Sequence, residues 1–256
     1  MIKTDTYTIS LNNGTATWEA TSSPIVISIP HDGTLKDFKG IFRSRSCGAV
    51  VRDKNVWPIV RDMLETCQAH VVRGLVSRTF IDYNRAWPEA VNYYPFPRPT
   101  YTALEDPRLA PLYLHYHKEI DRLIGGSKEK FGAHRNLLID LHGFSTQPPD
   151  APLSGYDLIF GTNNRGTINY GEPDRRLAEH LRSKGYAVFL PEEYRREGEM
   201  YSADHTACSH ARRHGINTLQ IEIASRFRLK GSVTLGKQLS LDLSAGLNAL
   251  MNTQSP

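Results

Sequence analysis

Residues 136–143 read NLLIDLHG, and the fold is decided in this stretch. Four apolar residues in a run of six are too few for a buried helix. Bounded by a glycine, they suit a short strand covered on both faces. Asp140 and His142 are two apart, so on a strand they share a face. The strand therefore ends on a carboxylate and an imidazole that point the same way. In open α/β sheets the carboxyl ends of the strands are where ligands bind.

Similar runs lie on either side. They are 24–30 (PIVISIP), 70–76 (HVVRGLV), 156–161 (YDLIFG), 186–190 (YAVFL) and 218–224 (TLQIEIA). Between them, apolar residues recur at helical spacing. The spacing predicts helices over 53–67, 107–124, 174–183 and about 235–251. Residues 6–20 (TYTISLNNGTATWEA) predict a β-hairpin turning at Asn13-Gly14. Strands alternating with helices imply an α/β three-layer sandwich, and a mixed, mostly parallel sheet is expected. Two long stretches read as loops: the Pro-rich 85–102 and the polar, His-rich 192–214. No repeat or linker divides the chain, so residues 1–256 are expected to form one domain.

Composition narrows the function classes. With 256 residues the chain can bury a large core without staples. Its three cysteines, Cys47, Cys67 and Cys208, are too few for a disulfide scaffold and read as free thiols. Lys and Arg total 31 against 27 Asp and Glu, and the basic residues are scattered, so no nucleic-acid footprint is expected. The first residues lack the apolar core of a signal peptide, and no run approaches the ~20 apolar residues of a membrane span. A cytoplasmic protein without a membrane partner is expected.

Five places carry candidate chemistry. Pro30-His31-Asp32-Gly33 leaves the sheet directly after the first buried run, and its histidine serves either as a ligand or as a local backbone anchor. Asp140 and His142 combine an imidazole with a carboxylate able to orient it. Glu222 lies inside the apolar strand LQIEI, where a carboxylate is costly unless paired or functional. There it reads as a general base with a raised pKa. The stretch 77–85 (SRTFIDYNR) sets Arg78, Asn84 and Arg85 among apolar residues, and arginine suits bidentate carboxylate recognition. His205, His210 and His214 fall in the polar stretch before the last strand. His210 and His214 are four apart, but the Glu that follows the first His of a zincin helix is absent. Substrate contact at His205 and His214 is the reading taken.

In order along the chain, PHDG, SRTFIDYNR, a Tyr113-x-x-Tyr116-His117 segment, IDLHG and LQIEI resemble the N-formylglutamate amidohydrolase family. Its members carry PHSG, SRYVVDLNR, YH, a D-x-HS segment and LQLEI in that order. The resemblance spans about residues 25 to 227 and implies a fold similar to zinc exopeptidases of the carboxypeptidase type. It also implies one zinc ion, with His31 and His142 as ligands. The third ligand it implies is open between Asp53, the better match to an acidic residue at the start of the next helix, and its rival Asp32. Glu222 would be the catalytic base, and Asp140 would orient a ligand histidine. Arg78 or Arg85 would hold a substrate carboxylate or the oxyanion. The reaction implied is hydrolysis of an N-acyl amino acid, a small-molecule substrate.

The chain departs from the pattern at PHDG for PHSG, at Gly143 for the serine after the histidine, and over 198–215, where the family is Gly-rich. These changes point to an acidic or N-acylated amino acid rather than to formylglutamate itself. A carboxypeptidase-like peptidase and a metal-free anion-binding module are the alternatives.

Overall fold

The computed structural model describes residues 2–3, 7–36, 51–87, 90, 109–145, 155–190, 203–229 and 231–252. Nine strands form one mixed sheet. They are β1 (Ile2–Lys3), β2 (Tyr7–Asn12), β3 (Thr15–Ala20), β4 (Ile25–Ile29), β5 (His70–Gly74), β6 (Leu137–Phe144), β7 (Leu158–Gly161), β8 (Val188–Phe189) and β9 (Asn217–Ala224). Their order is β1-β2-β3-β5-β4-β6-β9-β7-β8. The centre, β5-β4-β6-β9, is parallel. The N-terminal hairpin extends one edge antiparallel, turning at Asn13 and Gly14, both at positive φ.

Five helices cover the sheet: α1 (Val56–Met63), α2 (Ala110–Phe131), α3 (Pro173–Ser183), α4 (His205–His214) and α5 (Val233–Asn252). Side-chain alternation explains the layers. Ile25, Ile27 and Ile29 of β4, Leu137, Ile139 and Leu141 of β6, and Leu219, Ile221 and Ile223 of β9 point one way. They pack there with α1, α3 and α5. Val26 and Leu138 point the other way, into a core built with α2. Helix α4 joins that second layer against α2 and β9. The three-layer sandwich expected from the sequence is the observed fold. Among the described residues no helix is long and apolar enough to cross a membrane.

The helix expected over 53–67 is shorter, Val56–Met63, and β1 was not expected; α2 and α4 differ more. Helix α2 runs past Ile124 and through Gly125-Gly126 to Phe131, and its Ser127 hydroxyl donates to the Ser23 carbonyl at 2.8 Å. The His-rich stretch 192–214, read as a loop, contains α4. The Asp204 side chain accepts from the His205 N–H at its start, and Gly215 closes it at φ 59°. Its buried residues are Thr206, Ala207, His210 and Ala211, so the inner face carries little of the apolar periodicity that betrays a helix. Residues 191–202, and most of the Pro-rich stretch 85–102, lie outside the described residues.

Helix α4 is fastened to α2 by charge. The Asp121 carboxylate accepts from His210 Nδ1 at 2.9 Å and His214 Nε2 at 2.7 Å, and it pairs with Arg213. Burial acts to raise the Asp121 pKa. The bonds from His210 and His214 outweigh it, helped by the His210 and Arg213 charges, and hold the carboxyl well below its usual range. A carboxylate depressed on folding stabilises above its unfolded pKa of about 3.9 and loses that contribution as pH falls toward its folded value. Asp121→Asn should therefore cost about 1.5–3 kcal/mol in urea unfolding at pH 7. The difference should shrink below about pH 4. A gap that stays constant through acid pH would contradict this.

Candidate metal centre

The parallel register sets a row of polar side chains on the α2 side of the sheet. Ser28 pairs with Asp140, Asp140 with Gln220, and His142 with Glu222 across β4, β6 and β9. All five stand at alternate positions of strands whose other face is aliphatic core. His31 lies two residues beyond the end of β4 and Asp53 comes from the approach to α1. The Asp53 N–H donates to the His31 carbonyl at 3.1 Å, which ties the two segments together. Gly33 is required here because a Cβ would lie 2.3 Å from the Val76 carbonyl oxygen. A side chain would push the His31 loop off the end of β5.

Three atoms converge. His31 Nδ1 and His142 Nδ1 are 3.1 Å apart, and Asp53 Oδ2 lies 3.3 Å from His142 Nδ1 and 3.4 Å from His31 Nδ1. All three residues are buried. The outer ring nitrogens are committed elsewhere. His31 Nε2 meets Asp82 Oδ1 at 2.6 Å and His142 Nε2 meets Asp140 Oδ2 at 2.9 Å. An ionised carboxylate only accepts, so each Nε2 carries the proton. In the neutral rings both Nδ1 atoms then present lone pairs to each other and to the Asp53 oxygen. Such a triangle demands positive charge at its centre. Asp140 is fixed in turn by the Ser28 hydroxyl, which donates to Oδ1 at 2.5 Å. Asn84 lies against the same imidazole, with Nδ2 3.2 Å from His142 Nε2, and its Oδ1 accepts the Thr206 N–H.

The triangle fits a metal ion. Tetrahedral zinc with nitrogen and oxygen ligands at ~2.0–2.1 Å spaces them by roughly 3.3–3.4 Å. The second group of possible ligands among the described residues, Asp121 with His210 and His214, does not match this spacing. Its bonds of 2.7 and 2.9 Å are hydrogen-bond lengths, and Arg213 already neutralises the carboxylate.

The electrostatics agree with this picture. For His142, burial alone would lower the pKa. Asp140, Asp53 and Glu222 overcome it and push the pKa well above its usual value. For Asp53, burial would raise the pKa, but the bonds from His142 and His31 hold it far below the ordinary range. Burial raises the pKa of Glu222, and Asp53 adds to this, while His142, His31 and Arg78 oppose it. A Glu222 carboxyl that holds its proton more readily than usual therefore stands across from His142.

The remaining residues singled out in the sequence separate. Asp53 stands in the triangle. Asp32 turns toward Arg52 and Arg73, and its Oδ2 accepts the Trp57 N–H of α1 at 2.9 Å. Arg78 reaches the Asp82 carboxylate behind His31 and the Asp53 carboxylate of the triangle, with Nε 3.0 Å from Asp82 Oδ2 and Nη1 3.7 Å from Asp53 Oδ1. Arg85 pairs with Asp204 and donates to the Asn84 carbonyl. His205 bonds the Tyr113 hydroxyl at 3.0 Å, and His214 bonds Asp121. Sequence reasoning gave no role to Asp82, Ser28 or Arg228. Ser28 could have been found by aligning β4 with Asp140. Asp82 was visible in SRTFIDYNR, but nothing in the sequence showed that it meets His31.

The model of the family described as N-formylglutamate amidohydrolase matches residues 23–227. Among solved structures, the fold is similar to an N-formylglutamate amidohydrolase from Ralstonia eutropha JMP134. There the TM-score is 0.65 and the identity 20%, covering 96% of this chain and 98% of that one. A gene product from Agrobacterium tumefaciens is similar at TM-score 0.62 and 16% identity, over 93% and 96% of the two chains. A succinylglutamate desuccinylase from Chromobacterium violaceum is similar at TM-score 0.50 and 14% identity, over 98% and 72%. The curated proteins contain no significant sequence match.

In protein stripped of divalent ions with a chelator, His142 should stay protonated well above pH 6.5, the ordinary histidine value. Asp53→Asn should bring its midpoint down, because Asp53 is one of the groups that raises it. Histidine ring NMR titration reads both. A wild-type midpoint at or below 6.5 would contradict the electrostatics described.

Proposed function

Since the chain belongs to the N-formylglutamate amidohydrolase family, we propose that it is a zinc-dependent amidohydrolase that cleaves the N-acyl amide of an acidic or related amino acid. The observation that carries the reading is the near-equilateral triangle of His31 Nδ1, His142 Nδ1 and Asp53 Oδ2, with sides of 3.1–3.4 Å, facing Glu222. His31, His142 and Asp53 would hold one divalent ion with a position left open. Asp82 and Asp140 fix the ring orientation and the tautomer of the two imidazoles. A bound ion of this kind lowers the pKa of its water and polarises the acyl carbonyl.

The chain's own groups supply the rest. Glu222, with its pKa raised by burial, accepts the water proton at its carboxylate and returns it to the departing amine nitrogen. Arg78, held between Asp82 and Asp53, is placed to stabilise the oxyanion. Arg85, with Asn84 and His205 alongside, offers polar contacts to the amino-acid portion. His214 is committed to Asp121 and acts from there as a brace for α4. A cytoplasmic setting suits free thiols such as Cys67, whose pKa burial pushes up to about 11.

Glu222→Gln separates base from ligand. The variant should keep its metal in elemental analysis while hydrolysis of N-formyl-L-glutamate and related N-acyl amino acids falls about 10²–10⁴-fold. Loss of the metal would show that Glu222 is a ligand. Unchanged turnover would remove it from the chemistry.

A further inference from the structure

A cavity of about 490 Å³ opens beside the triangle, within the range that holds small molecules. Asp53 is the one carboxylate among its described lining residues, against Arg52, Lys54, Arg78 and Arg228. Three of these cations do not explain themselves as ion pairs to the same degree. Arg52 and Arg78 lie within 4 Å of Asp32 and of Asp82 and Asp53, respectively. Arg228 is different. It is 8% exposed, and among the described residues its side-chain bonds go only to neutral carbonyls: Nε to Ile223 at 3.0 Å, Nη1 to Lys54 at 2.5 Å and Nη2 to Phe144 at 2.8 Å. A guanidinium has five N–H donors, so one on each terminal nitrogen is left over. Burial lowers its pKa, and the Asp53, Glu222 and Asp32 charges oppose this without a direct bond to it among the described residues, so an anion bonded directly to the guanidinium would offset the cost of burying it.

The place for this side chain is made by Gly143. A Cβ on Gly143 would fall 2.2 Å from Arg228 Cζ and 2.5 Å from its Nε. A serine there, as in the pattern the chain resembles, could not coexist with the guanidinium in this position. Gly143 directly follows His142 on β6, so the glycine seats a fixed positive charge next to the metal-ligand strand.

We propose that Arg228, seated against Gly143, is the specificity-determining residue of this cavity and binds a carboxylate of the amino-acid portion of the substrate. This rests on the amidohydrolase reading and adds the group that reads the substrate's charge. Arginine suits the task because its planar fork gives a carboxylate two parallel bonds. The surrounding cations raise the local concentration of anions.

The test uses metal-loaded enzyme, Arg228→Met and Gly143→Ser. Gly143→Ser keeps the arginine but displaces it, so it carries the test if Arg228→Met fails to fold. KM and kcat are measured for N-formyl-L-glutamate, for N-formyl-L-glutamine and for the α-amide of N-formyl-L-glutamate. Each variant should raise KM for the doubly charged substrate about 10–100-fold, the loss expected for a charge-assisted bond pair. Metal content and kcat should change little, and the double variant should be no worse than either single one. The singly charged analogue whose disadvantage disappears in the variants identifies the carboxylate that Arg228 holds. If both analogues keep their disadvantage, the proposal is wrong. Calorimetric binding of glutarate needs no turnover and separates the two readings. If the wild type hydrolyses no N-acyl amino acid, the amidohydrolase reading fails, while loss of glutarate binding in both variants still supports Arg228. Unchanged glutarate binding overturns it.

Discussion

The register between β4, β6 and β9 is the constraint on which the site depends. It aligns Ser28, Asp140 and Gln220 in one row and His142 with Glu222 in the next. The opposite faces of the same strands are filled with isoleucine and leucine. A slip of one residue would turn that aliphatic face toward α2 and drive two carboxylates and an imidazole into the main core. The cost of burying unpaired charge makes such a slip prohibitive. The hydrophobic core thus fixes where the polar atoms stand, to within hydrogen-bond tolerance, before any ligand is present.

The loops complete what the strands begin. His31 and Asp53 come from separate segments joined by a backbone hydrogen bond, and Asp82 and Asp140 hold the far side of each imidazole. Behind Asp82, the Tyr83 carbonyl accepts from His117 Nε2 at 3.0 Å, and His117 in turn meets His210 of α4. Burial and the neighbouring His210 and His205 charges keep the His117 pKa well below its ordinary value, so His117 is a neutral link. The support for the triangle therefore runs from Asp121 on α2 through α4 to the turn that carries Asp82 and Asn84. The two helices on this face are part of the site's frame.

Much of this was legible in the sequence, for identifiable reasons. Asp140 and His142 stood out because a period of two placed them on one face of an apolar run. Glu222 stood out because a carboxylate in LQIEI is costly. The choice between Asp53 and Asp32 was not legible, since both neighbour basic residues and both precede or begin a turn. The structure brings Asp53 to the histidines and leaves Asp32 bonding the start of α1. Helix α4 was hidden because its buried face is threonine, alanine and histidine. Arg228 carried no local signal. Its meaning comes from Gly143, which is 85 positions away in sequence and 2.2 Å away in space when a Cβ is imagined there.

On the proposed reading His31, His142 and Asp53 hold one divalent ion and the Asp121 group holds none. An anomalous difference map, recorded at the zinc edge from crystals grown with stoichiometric zinc, tests it most directly. One strong peak is expected about 2.0–2.1 Å from His31 Nδ1, His142 Nδ1 and an Asp53 oxygen, with Glu222 outside the coordination shell. A triangle without a peak, or a peak among Asp121, His210 and His214, would contradict it.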